Sequence, residues 1–91
     1  MIVTLEKTKE WLRVDSNDED ALIESFITAA EDIVSGILRF PLNELTEIPE
    51  TMKQAVYYAV SVMHEQRESL DIVALLNTLR GILFVYRKDE W

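Results

Sequence analysis

The stretch Val62-Met63-His64-Glu65-Gln66-Arg67-Glu68 has the most chemically suggestive spacing in the chain. It is one residue short of H-E-x-x-H, the helical signature in which two imidazoles bind zinc from one face and a glutamate serves as base. Here Glu68 stands where the second imidazole would be, and His64 is the only histidine. Catalytic zinc takes three protein ligands, so His64 and Glu68 at i and i+4 leave the set incomplete. The ligand rules favour a partly exposed helical histidine. A metal-dependent hydrolase is the weakest functional reading, and no metal or other cofactor is expected.

Asp15-Ser16-Asn17-Asp18-Glu19-Asp20 opens like a calcium-binding EF-hand loop, with oxygens at loop positions one, three and five. The match then fails. Position six needs glycine for the sharp turn and holds Asp20, and position twelve needs a bidentate glutamate and holds Phe26. A turn followed by a helix start fits these residues better. Glycines at 36 and 81 alone build no phosphate-cradling loop, and no serine sits in a G-x-S-x-G elbow. Ser61 lies at i−3 from His64, but nothing in the sequence supplies an oxyanion hole for it. The expectation is a protein that is not an enzyme.

Hydrophobic periodicity implies an all-α fold, a small bundle of about four helices over 5–13, 19–37, 50–67 and 70–80. Thr4 is suited to cap the first helix and Ser69 the fourth. In the second, Leu22, Phe26, Ala29, Ile33 and Ile37 form one apolar row, with Ile23, Ile27, Ala30 and Val34 beside it. Glu24, Thr28, Glu31 and Ser35 oppose them, the pattern of a helix docked on a core. Full burial of Phe26 would make its replacement by alanine cost about 3–5 kcal/mol. Pro49 and Glu50 open the third helix, whose inner row is Met52, Val56, Ala59 and Met63. Arg80-Gly81 stops the fourth helix or is crossed at about 1 kcal/mol. Residues 82–87 then read as a short C-terminal strand, from the apolar aromatic run Ile82-Leu83-Phe84-Val85-Tyr86, or as a helical extension.

The 91 residues form a single domain, 1–91, of which 48% are apolar. No cysteine is present, so a disulfide or thiolate cluster is excluded. No apolar run approaches a membrane span, and the first residues lack the basic and long apolar regions of a signal peptide, so a soluble protein made in a cytoplasm is expected. The net charge is −8, and the segment from Asp15 to Asp32 carries seven acids and no base. Gripping nucleic acid through its phosphates is therefore disfavoured. The acidic run reads as a solvated helix face with helix-start carboxylates, or as an electrostatic docking surface of Asp15, Asp18, Glu19 and Asp20 for a basic partner or a second copy. Buried packing is the default for Trp11 and Tyr58. Tyr57 shares a side with Lys53 and His64 and, together with Arg67, is a candidate contact. Phe84, Tyr86 and Trp91 make a second candidate patch.

Taken in order, several segments resemble a known family. Thr4-Leu5-Glu6, Lys9-Glu10-Trp11-Leu12-Arg13-Val14-Asp15, Asp18-Glu19-Asp20-Ala21-Leu22-Ile23 and Ala29-Ala30 look like the N-terminal half of the small head-tail connector (head completion) proteins of tailed bacteriophages and prophages. Met52-Lys53-Gln54-Ala55, His64-Glu65-Gln66-Arg67-Glu68 and Leu75-Leu76-Asn77-Thr78-Leu79-Arg80 resemble its later segments. The resemblance covers about residues 3–80. The chain departs from the family in having His64 where an aromatic residue is usual and Gln66 where asparagine is usual, and in extending through 82–91.

The resemblance implies a non-enzymatic virion assembly protein at the head-tail junction, made in the bacterial host cytoplasm. Its partners would be further copies of itself in a ring, the portal protein and tail-side adaptor proteins, with DNA passing through as a non-specific neighbour and no membrane. An uneven charge distribution suits heterologous contacts, which close into rings when the rotation per subunit divides a full turn. The alternative from the acidic run is a small regulatory binding module that mimics DNA charge toward a basic protein.

Overall fold

The computed structural model describes residues 3–39 and 47–84. Four helices follow one another, α1 Leu5–Leu12, α2 Asp20–Leu38, α3 Glu50–Glu65 and α4 Ile72–Leu83, and no strand occurs among the described residues. The all-α bundle expected from periodicity is the fold.

Helix α1 begins where a hydroxyl satisfies its free amides: Thr4 Oγ1 accepts from the Lys7 N–H at 3.1 Å. Thr8, fully buried, donates its hydroxyl to the Thr4 carbonyl at 2.7 Å. The helix ends in a Schellman motif, with Val14 N–H on the Lys9 carbonyl and Arg13 N–H on the Glu10 carbonyl. That motif puts Arg13 in the left-handed region at φ 60, so the helix ends at Leu12, one residue before the boundary expected from the sequence. Helix α2 closes similarly, on Arg39 at φ 66 with its N–H bonded to the Ser35 carbonyl.

The core is built by α2 and α3, the two longest helices, which make the largest helix-helix contact. Ile23, Ile27, Ala30 and Val34 of α2 are completely buried, so this row is the centre of the apolar stripe. Its companion row is split: Ile37 is buried, Phe26 and Ile33 are half-buried, and Leu22 is 37% exposed. Phe26 thus lies at the margin of the core, and the cost of truncating it falls below that for a fully buried phenylalanine. From α3 come Met52, Ala55, Val56, Ala59, Val60 and Met63. Ala30, Ala55 and Ala59 supply small surfaces that let helices approach closely.

Two expectations are corrected in α4. Its N-cap is Asp71, whose Oδ1 accepts from Ala74 N–H at 3.0 Å, and not Ser69; Asp71 directly precedes the helix, where the free amide of the third helical residue points back at it. The strand reading over 82–87 also gives way where residues are described. The helix crosses Gly81 to Leu83, and Phe84 continues it as a single tighter turn. Leu75, Leu79 and Leu83 recur every four residues and are all buried, so burying Leu83 keeps the chain helical through a segment of strand-like composition. Residues 85–87 lie outside the described part. Among the described residues no helix is long and apolar enough to cross a membrane.

Candidate interaction surface

The acidic segment folds into the corner between α1 and α2, where its charges divide into two groups. Lys9, on the last turn of α1, places its ammonium 2.8 Å from Asp20 Oδ1 and donates to Asn17 Oδ1 at 2.9 Å. Asp20 Oδ1 is buried, and this ammonium is its compensation. Glu19 reaches across to α3. Its Oε2 accepts from the Arg67 guanidinium, and its Oε1 lies 3.2 Å from His64 Nε2. Arg67 first, and His64 after it, hold the Glu19 carboxyl below the usual carboxylate value of 4.5. Asp15 and Asp18 are exposed and make no ion pair among the described residues.

His64 and Arg67 therefore grip one carboxylate that lies 45 and 48 positions earlier in the chain. The near-zinc stretch presents one donor from the last turn of α3, His64, and one from the turn just past its end, Arg67, to a single acceptor; the helix stops at Glu65, two residues short of the expected 67. Among the described residues no group of three His, Cys, Asp or Glu is placed to hold a metal. Ser61 donates its hydroxyl to the Tyr58 carbonyl of its own helix at 2.8 Å. The edge of the Phe26 ring meets the His64 ring, centroids 6.5 Å apart and planes at 88°, which fixes the imidazole from the apolar side.

Trp11 differs from its expected burial: it is 45% exposed and lies flat on Tyr57, with centroids 5.2 Å apart and planes 14° from parallel. Because α1 has only eight residues, its indole reaches the rim of α3 and not the core. Burial under the indole, with Glu50 adding to it, raises the Tyr57 phenol above its ordinary value. Tyr58 is half-buried against the core.

Of the candidate residues, the fold brings together Glu19, His64 and Arg67, with Asp20 on the adjacent corner and Tyr57 farther along α3. Phe84 is remote from them, 69% exposed at the end of α4, and Tyr86 and Trp91 lie outside the described residues. Sequence reasoning missed Lys9 as the partner of Asp20 and Asn17. It also missed an open groove between α2 and α4, lined by Ile33, Gly36, Ile37, Leu76, Arg39 and Arg80. The only available signal for the groove was the recurrence of arginine just past α2 and near the end of α4, and helical spacing alone does not say that these arginines face one another.

With this geometry in place, comparison with known proteins is decisive. The model of the phage gp6-like head-tail connector protein family matches residues 2–87. The chain belongs to that family. The match extends past residue 80, where the sequence resemblance ended, and takes in all of α4 and the positions up to 87. No curated protein and no solved structure gives a significant match. The connector is thus a structural phage protein, and it carries an internally paired acidic corner at one end of α2 and an arginine-edged groove at the other.

Proposed function

We propose that the chain works as a single non-enzymatic connector domain, copies of which join side by side into a ring between portal and tail at the virion neck, leaving a passage for DNA. The observation that carries this reading is the family match over residues 2–87. The charge layout supports it: excess acid at one end of α2 and, at the other, arginines that make no ion pair among the described residues favour one-directional contacts between copies. An acidic lumen lets DNA slide past without adhering. Tyr57 beneath Trp11, the Glu19–His64–Arg67 cluster and exposed Phe84 are proposed as surfaces toward neighbouring copies, portal or tail-side adaptors. A connector of this kind needs neither cofactor nor catalysis.

Light scattering over a concentration series, with and without the portal protein, tests this reading. The expected result is growth from small species to a discrete large mass, promoted by the portal. A strict monomer that never binds the portal would overturn it. The acidic-module alternative predicts instead a basic nucleic-acid-binding partner in a host pull-down and no self-assembly. It is the less supported reading, because Glu19 and Asp20 are committed to pairs within the molecule.

A further inference from the structure

We infer that the α2–α4 groove is the socket for the acidic end of α2 in an adjacent copy. The inference rests on the ring-forming reading and names the surfaces that would join one copy to the next. The groove has an apolar floor of Ile33, Ile37 and Leu76, two arginines at its edges and no acid in its lining. Arg39 and Arg80 are exposed and make no ion pair among the described residues. Val73, one helical turn before Leu76 on α4, is 64% exposed, so this helix adds apolar surface to a basic edge that makes no ion pair among the described residues.

The matching surface lies at the other end of the same helix. Asp15, Asp18 and Glu24 are exposed without ion pairs among the described residues. Exposed acids at this end of α2 complement the arginine-edged groove at its other end. Helix α2 has 19 residues, which puts its two ends about 28 Å apart. The two surfaces therefore do not meet within one molecule. Neither makes an ion pair among the described residues, and joining them between copies repeats the same contact in one direction, the heterologous arrangement that closes a ring. The internal pairs of Glu19 and Asp20 hold the corner from which this patch projects.

Complementary charge reversal tests the inference. Asp18→Lys/Glu24→Lys reverses the charge of the acidic face at two positions, and Arg39→Glu/Arg80→Glu inverts the socket. Each variant alone is expected to assemble at least tenfold more weakly than wild type by sedimentation. An equimolar mixture is expected to recover assembly, because each copy then offers a face that suits the other. Circular dichroism checks the fold of each variant, and Arg39→Gln/Arg80→Gln serves if the reversed socket does not fold; it too should weaken assembly. Wild-type assembly should weaken as ionic strength rises. If wild type assembles and the folded variants assemble equally well, or their mixture recovers nothing, this interface is wrong while the ring reading stands. Loss of portal binding with self-assembly intact would assign the groove to the portal and overturn the inference. A wild type that stays monomeric even with the portal would overturn both.

Discussion

The two ends of α2 make opposite use of charge. At its N-terminal end, Lys9, Arg67 and His64 from other elements are drawn onto Asp20 and Glu19, and an aromatic stack covers the nearby rim of α3. At its C-terminal end, Arg39 and Arg80 edge an open groove and pair with nothing among the described residues. The first arrangement fastens α1, α2 and α3 together. The second contributes little to holding the molecule and leaves charge and apolar surface available to a partner. In a small protein, groups satisfied internally and groups left unsatisfied separate what maintains the fold from what the fold presents.

The largest effect removes the framework common to both ends. Leu79→Ala, at a fully buried position of α4, is expected to cost about 2–5 kcal/mol in urea unfolding, and Phe26→Ala should cost less because its ring is only half-buried. Next come the caps. Thr4→Ala and Asp71→Ala each remove a side-chain acceptor at a helix start and should each lower stability by about 1 kcal/mol, the first loosening the acidic corner and the second the groove wall.

The left-handed arginines give a sharper division. Arg13→Gly and Arg39→Gly relieve φ values of 60 and 66, and each should raise monomer stability by about 0.5–1 kcal/mol. Only Arg39→Gly should also weaken assembly, since Arg39 edges the groove; sedimentation of the two variants side by side reads this out. The smallest effect is at the carboxylate clasp. Because Arg67 and His64 lower the Glu19 pKa in the folded state, the clasp's stabilisation is complete above the ordinary value of 4.5 and is lost as pH falls from there through the lowered value. The stability difference between wild type and Glu19→Gln should therefore shrink as pH falls below 4.5, as thermal melts across acid pH would show.

Local signals carried much of this architecture. The rows on α2 and α3, the Thr4 cap and the break after α1 all follow from spacing and side-chain chemistry within a few residues. The errors have physical causes. Left-handed helix ends usually fall to glycine, so Arg13 and Arg39 gave no cue. The composition of 82–86 resembles a strand, and only the burial of Leu83 in register with Leu75 and Leu79 shows why its first residues are helical. Both Ser69 and Asp71 are good caps, and which one serves depends on where packing starts the helix. Glu19, His64 and Arg67 were each legible as candidates, but their convergence depends on how α2 docks on α3. The groove was least legible, because it exists only between two packed helices.

The chain contains no cysteine, which permits an unambiguous direct test of head-to-tail joining. Gly36 lies in the groove lining with open space where a side chain would project, and Glu24 is exposed toward the other end of α2. The double variant Gly36→Cys/Glu24→Cys, oxidised after assembly with the portal, should give a covalent ladder of successive multimers whose linking peptides join position 36 to position 24. Exclusive 36-to-36 dimers, or an assembled ring that yields no 36-to-24 link, would contradict the account.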